Sequence, residues 1–472
     1  MPFKTIHLNL RHLFPLLFSI VLLVYACSPV EEELTTDKNA RLSFSTDTVI
    51  FDTLFSSVGS ITKRLKVFNP NKNAVNLSSI QLGKGSNSDY TIIVNGEEQN
   101  NFSNEVILGK DSMLILIKVQ IDPQDEDLPY LVKDSIVFES NGNSEHVKLV
   151  TWGQDATFIN GEIIDCNATW TANRPYVIYN FALVDTLCTL DVEAGTRIYI
   201  DNDASLFVKG SLRLNGELEN KVIVRNTRLD PKFTISPGQW DGIYYLEGSF
   251  DNKIEHAIIS NGIRGLRVGT PDDDTDYDLE IGNTIIEHMS VAGIEAFTSD
   301  IRAYNTVVYN CNEYVIGNFL GGNYVYEHCT FVNEPTSFFR EGSSFQFADN
   351  IVAGDNSLLT ADLNLKIVNS VLWGNEDDEL IISASGQQQV VLELHDNIIR
   401  TTDFGYEEIG NTISTDNNFP GFHDLFLFDY QIDSLGNARD KGDDIGITFD
   451  ILGTPRDDKP DYGAYERKDS IP

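Results

Sequence analysis

The sequence predicts an all-β chain in which a β-sandwich is followed by a parallel β-helix. Three observations carry this. Over residues 41–155, about seven short stretches alternate apolar and polar residues between turn signals. Over residues 252–400, a short apolar doublet behind a small or polar residue recurs every twenty-odd positions, the mark of a solenoid. The 3.6-residue apolar period of helices is missing from that repeat; β-branched doublets alternate with Asn, Gly and Asp instead.

The repeat aligns His256-Ala-Ile-Ile, Asn283-Thr-Ile-Ile, Asn305-Thr-Val-Val, His328-Cys-Thr-Phe, Asp349-Asn-Ile-Val, Asn369-Ser-Val-Leu and Asp396-Asn-Ile-Ile, with steps of 27, 22, 23, 21, 20 and 27. Successive coils stack about 4.8 Å apart, so these lead residues are expected to form one column. Their side-chain amides can then bond from coil to coil and satisfy the bends between sheets. His256 and His328 share the column with asparagines, and a structural ladder accounts for them better than a catalytic or metal-ligand role.

At the front, Lys4 and Arg11 precede an apolar run from Phe14 to Ala26, too short for a spanning helix and followed by polar sequence. Residues 1–26 therefore read as a secretion signal. Val24-Tyr25-Ala26-Cys27 resembles a bacterial lipobox, which implies lipidation of Cys27. The acidic run Glu31–Glu33, in a tether spanning 27–40, resembles the surface-export signal of Bacteroidota lipoproteins, and no aspartate follows Cys27. The resemblance implies an outer-membrane lipoprotein displayed at the cell surface, with the periplasmic face as the alternative.

Charge narrows the partners. The formal net charge is −37, and losing Lys4 and Arg11 with residues 1–26 takes it two lower, to −39. Such a surface repels nucleic acid and anionic lipid, and no Lys/Arg-rich run contradicts this. No C-x-x-C occurs, so zinc-knuckle and thioredoxin-like sites have no support. Cys166 and Cys188 lie 22 apart, one repeat length, and can be vertical neighbours, either disulfide-bonded or as two buried thiols.

In the sandwich the strand candidates are Leu42–Ser45, Ile61–Phe68, Val75–Leu82, Tyr90–Val94, Ser112–Ile121, Asp134–Glu139 and His146–Trp152. Asn69-Pro70-Asn71, Asn95-Gly96 and Asn141-Gly142 supply turns. Seven short strands in this length suit an immunoglobulin-like sandwich. The run from Asp52 to Gly59 and the Lys66-Val-Phe-Asn-Pro-Asn segment resemble immunoglobulin-like domains at the front of Bacteroidota surface proteins, which implies a spacer role.

The second domain, 160–420, opens with Leu190-Asp-Val-Glu-Ala-Gly-Thr-Arg-Ile, Ala204-Ser-Leu-Phe-Val-Lys-Gly-Ser-Leu, Lys221-Val-Ile-Val and Gln239-Trp-Asp-Gly-Ile. This succession resembles the first coils of secreted right-handed parallel β-helix proteins of the pectin-lyase-like superfamily, and about ten coils are expected. The tail, 421–472, carries Asp433-Ser-Leu-Gly-Asn-Ala-Arg and Pro460-Asp-Tyr-Gly-Ala-Tyr-Glu466, which resembles the ending of many such proteins. It is expected to cap the last coil, with Arg456, Asp461 and Glu466 salt-bridged inside it.

The resemblance implies a polysaccharide in the outer groove, but the polygalacturonase-like acid set has no coherent copy here. Asp272, Asp273, Asp274, Asp276 and Asp278 form the densest oxygen cluster, either a Ca²⁺ site or a solvated acidic loop. No other cofactor is expected. Arg264, Arg267 and Arg302 can face a groove near it. Of the aromatics Trp240, Tyr244, Tyr245, Tyr304, Tyr309, Tyr324 and Tyr326, half or more are expected inside. These features favour a non-catalytic surface lipoprotein that binds glycan or another surface component. A polysaccharide lyase or glycoside hydrolase, and a structural adhesin or stalk, are the alternatives.

Overall fold

A computed structural model describes residues 33–269, 276–334, 339–340, 342–402 and 412–468, the last segment by backbone alone up to 415. The signal segment, Cys27 and Asp272 to Asp274 lie outside these. The chain divides into two units. The first runs through Asp122 and resumes over Tyr130–Gly153; the second takes Pro123–Pro129 and everything from Gln154 onward.

The first unit is a two-sheet sandwich. One sheet orders Ser43–Phe44, Lys63–Phe68, Ser112–Val119, Tyr90–Val94 and Glu97–Gln99. The other orders Thr48–Phe55, Asn143–Gln154, Tyr130–Ser140, Val75–Leu82 and Asn101–Phe102, with Glu105–Ile107 also on Val75–Leu82. Alternation does the sorting: in Ser112–Val119, Met113, Ile115, Ile117 and Val119 point inward and Leu114, Leu116 and Lys118 outward. Leu65, Ile80, Ile92, Ile115 and Ile136 are wholly buried, each worth about 1.5–3 kcal/mol of apolar burial. The strand Thr48–Phe55 is not among the sequence candidates, because Asp52 interrupts its apolar pattern.

The second unit is a parallel β-helix in which, among the described residues, 24 strands join one continuous sheet that winds on itself. Each coil contributes to three faces. Face A stacks Ala168–Trp170, Thr189–Glu193, Ser211–Asn215, Asn252–Glu255, Leu279–Gly282 and their successors to Thr412–Asp416, ten strands in all among the described residues. Face B stacks Arg197–Ile200, Val222–Asn226, Ala257–Ser260, Ile285–Met289, Val307–Cys311, Thr330–Asn333 and Val371–Gly374. Face C includes Ser205–Val208, Gly242–Tyr245, Arg264–Val268 and Phe345–Ala348. Register fills the interior with apolar columns. Val192, Leu214, Ile254, Ile281, Ala303, Tyr326, Ile367 and Leu394 lie one above another, all wholly buried.

The bend from face A to face B explains the lead residues. His256, Asn283, Asn305, His328, Asn369 and Asp396 have φ of 46°, 49°, 45°, 49°, 51° and 56°. That left-handed conformation costs an ordinary L-residue energy and favours Asn and Asp, whose short side chains bond locally. Coil-to-coil bonds join Asn283 to Asn305 (3.1 Å) and His328 to Asn369 (3.0 Å). Asp349 does not belong to the column. Its doublet lies in a hairpin, Asn350–Val352 against Leu358–Thr360, that branches out of a long coil. The ladder steps directly from His328 to Asn369, since Thr330 pairs with Val371. Asp349 instead holds the backbone and hydroxyl of Ser385. A second column, Asn261, His288 and Asn310 (φ 70°, 57°, 54°), bends face B toward face C.

Cys166 and Cys188 form a disulfide, in step with the coil register that pairs Ala168 with Leu190. The bond closes a 22-residue separation at the first coil. Replacing both cysteines by serine is expected to cost about 3 kcal/mol, read as a lower urea midpoint for the β-helix transition. Cys311 and Cys329 are free and buried, and burial pushes both thiols up to about 12.

The sequence led to the expectation of a cap on the last coil; the described tail packs chiefly along the flank of the solenoid, and Lys441 also meets Asp416 of the last coil (3.1 Å). It covers face B: Phe422, Tyr430, Ile432, Ala438, Ile451, Tyr462 and Ala464 pack on Val307, Tyr309, Val332, Val371, Trp373 and Ile398. The reason is that successive coils of face B turn Val307, Val332 and Val371 outward as one continuous aliphatic flank. Arg456 and Glu466 do pair, buried, at 3.1 Å, while the Asp461 backbone N–H donates to Glu466 (2.9 Å).

Candidate functional site

With face B covered, faces A and C are left for function. Face A is charged. Lys253 stands opposite Glu280, and Glu280 opposite Arg302, on successive coils. Beside them runs the column Glu255, Gly282, Tyr304 and Glu327. A Cβ on Gly282 would lie 2.4 Å from the Tyr304 ring, so only glycine lets that ring cross its coil. The Tyr304 hydroxyl thereby donates to Glu255 (2.7 Å), and Asn283 donates to the other carboxylate oxygen (2.6 Å). Arg302 donates to Glu327 (3.0 Å) and Glu280 (3.4 Å), 5.3 Å from the Tyr304 ring centre. Burial, then the Glu255 contact, raises the Tyr304 hydroxyl well above its usual range. Burial lowers the His256 imidazole. The tail residues Gly446–Asp450 and Gly453 form the opposite wall of a groove of about 610 Å³.

Face C is aromatic. Phe181, Phe207 and Tyr244 follow one another up the coils with ring centres 6.3 and 5.5 Å apart. Further along, Phe297 and Phe319 sit 5.8 Å apart, and Tyr314 meets Phe319 edge-on at 5.4 Å. Between the two groups Glu295, 7% exposed, accepts from Arg264 (2.9 Å) and faces Arg267 (3.3 Å). The Arg267 guanidinium lies 5.2 Å from the Phe297 ring centre, within cation–π range. Asp241 accepts from Tyr244 (2.7 Å) and Ser205 (2.9 Å). Burial and Asp241 push the Tyr244 hydroxyl up to about 12. Both carboxylates are thus occupied as acceptors.

The structure separates residues that the sequence grouped. Arg264 and Arg267 are on face C and Arg302 on face A. Of the acidic loop, Asp276 and Asp278 line a hollow of about 410 Å³ next to Lys253 and Glu280. Asp278 is buried and accepts the backbone N–H of Asp300 (2.8 Å). Among the described residues no three His, Cys, Asp or Glu side chains are placed to hold a metal ion. Of the aromatics singled out, Trp240, Tyr245, Tyr324 and Tyr326 are interior, and Tyr309 lies beneath the tail. Only Tyr244 and Tyr304 of that set serve an open face. Phe207, Glu295, Phe297 and Phe319 escape sequence reading. Their only signal is the coil register, which places Phe207, Tyr244, Arg267 and Glu295 in one outward column.

No protein-family model and no curated protein matches the chain. Among solved structures, the catalytic unit of the GH87 alpha-1,3-glucanase of Streptomyces thermodiastaticus is similar at 10% identity over 72% of this chain and 74% of that one, with a TM-score of 0.31. A family 123 glycoside hydrolase from Clostridium perfringens is similar at 10% identity over 25% of this chain and 30% of that one, with a TM-score of 0.18. The PapD-like domain 7 of human CEP192 is similar at 11% identity, covering 27% of this chain and 94% of its own, with a TM-score of 0.17. The fold rests on the strand pairing above, not on these likenesses.

Proposed function

We propose that the protein is a surface-anchored lipoprotein that binds glycan without turning it over, using face C. The observation that carries this is the outward row of rings, Phe181–Phe207–Tyr244 and Phe297–Phe319, interrupted by the Arg264–Glu295–Arg267 group. Sugar rings present C–H faces that stack on aromatics, while guanidinium and carboxylate groups orient hydroxyls, the division of labour of a binding site. Stacking coils repeat the platform along the axis, which suits a chain of sugars. Lipidation of Cys27 holds the protein at the outer membrane, and the sandwich lifts the β-helix from it.

The test is a binding and turnover screen of the mature chain on neutral and acidic polysaccharides, with and without Ca²⁺. Binding without new reducing ends or unsaturated products is expected, and Phe207→Ala with Phe297→Ala should weaken it at least about tenfold, since each stacked ring is worth about 1 kcal/mol. Unaltered binding in that variant would contradict the assignment to face C. Turnover lost in Glu255→Gln would instead move function to face A, where Tyr304 and Asn283 hold that carboxylate in a groove. Neither binding nor turnover would leave an adhesin or stalk.

A further inference from the structure

The sandwich carries a surface unlike the rest of this acidic chain. On the outer side of its first sheet, Lys66 pairs opposite Leu114, Arg64 opposite Leu116, and Ile93 beside Leu116. Residues directly opposite in an antiparallel pair share one side, so these make a single apolar strip with Arg64 and Lys66 along one edge and Glu98, opposite Ile93, along the other. Val106 and Leu108 extend it into a groove of about 480 Å³. Leu114, Val106 and Leu108 are 44%, 44% and 47% exposed. Among the described residues Arg64 and Lys66 make no salt bridge. Between Lys63 and Lys118 seven cations meet five acids, in a chain whose net charge is −37.

The path of the chain says what covers this strip. The described structure begins at Glu33, and Leu34 bridges to Ala74. The next residue, Val75, pairs with Ile107, which lies between Val106 and Leu108. The N-terminal segment therefore joins the sandwich at the border of the strip. Six residues, Ser28–Glu33, separate Cys27 from Leu34, so the seven steps between them span at most about 25 Å when fully extended. A lipid on Cys27 would hold this corner of the sandwich within that distance of the bilayer.

We infer that the Leu114–Leu108 strip docks on the membrane surface, its leucines and valine entering the headgroup layer and Arg64 and Lys66 meeting lipid phosphates. The inference rests on lipidation of Cys27, and the sandwich then lies against the bilayer as a foot.

The test separates docking from anchoring. The chain lacking residues 1–26 and carrying Cys27→Ser is mixed with vesicles of four parts phosphatidylcholine to one of phosphatidylglycerol and sedimented. Weak, salt-sensitive binding is expected, reduced at least about tenfold by Leu114→Asp with Lys66→Glu, in a variant whose circular dichroism and melting match the parent. No binding by the parent, or binding untouched by the variant, overturns the inference. So does a parent that is dimeric in analytical ultracentrifugation and made monomeric by Leu114→Asp, since a second copy would then be the occupant. Metabolic lipid labelling of the full chain and its Cys27→Ser form tests the anchor alone, whatever the vesicles show.

Discussion

Replacing Glu379 with alanine is expected to destabilise the β-helix by about 3–5 kcal/mol, the cost of breaking a buried ion pair from one side. Glu379 is wholly buried and Arg340 nearly so, with the guanidinium at 2.5 and 3.0 Å from the two carboxylate oxygens. Backbone N–H groups of Ser344 and Glu376 donate to the same carboxylate, both at 2.9 Å, so four donors converge on it. Arg340 also donates to Asn375 (2.7 Å). Alanine would leave a desolvated guanidinium and two backbone donors unsatisfied. Urea unfolding followed by tryptophan fluorescence checks this, since Trp170, Trp240 and Trp373 all lie in the second unit. The double change Arg340→Met with Glu379→Leu should cost less than the single one, because it removes both charges together. A single variant within about 1 kcal/mol of the parent would show the pair to be solvated.

Acid is expected to loosen the tail. His288 is buried against Tyr309 and against Phe428 of the tail, with ring centres 5.4 and 5.2 Å away, and burial lowers its imidazole to about 4. His328 is wholly buried; burial, then the nearby Arg456, lowers it to about 3. An unfolded histidine protonates near pH 6.5, so below that value the unfolded chain binds protons that the folded chain refuses. Stability from these two groups is present above about pH 6.5 and is lost as pH falls toward 4 and 3. Glu466, raised to about 7 by burial, acts oppositely, gaining stability as pH falls from about 7 to 4.5, and Glu287 and Asp461 are raised in the same sense. Two histidines outweigh Glu466. For these three groups a net loss is expected, since each tenfold difference in proton affinity between folded and unfolded chain is worth about 1.4 kcal/mol. His328→Asn, which keeps a residue suited to φ 49°, should flatten the pH dependence by about one proton. A melting temperature equally acid-sensitive in that variant would remove His328 from this account.

Much of the fold is legible in the sequence because its signals are local. Alternation in Ser112–Val119 announces a strand, and the doublets after His256, Asn283 and Asn305 announce coils, since each reports the conformation of a few adjacent residues. Asp349 shows where this stops. Asp349-Asn-Ile-Val looks like one more coil because its doublet suits any strand, whereas only the pairing of Thr330 with Val371 reveals that the chain left the solenoid and returned. The candidate site was less legible still. Whether Arg267 or Arg302 faces Glu295 depends on the register across turns of unequal length, a property of stacked coils and not of either segment. The place of the tail was hidden for the same reason: Val307, Val332 and Val371 become a continuous apolar flank only once three coils are stacked.

The tail lying along face B sets the order in which the molecule can be completed. Each coil touches its immediate neighbours, so the solenoid can grow coil by coil as the chain emerges. The contacts of the tail reach back across the chain: Asn305 donates to the Phe449 carbonyl and accepts from Arg456, at separations of 144 and 151 residues. Gly453 sits against Leu218, far earlier still. These bonds can form only after the chain has been extended through Arg456. Until then Val307, Val332, Val371 and Trp373 stand bare, a sticky seam, so a chain stopped before residue 433 would keep its coils and lose its solubility.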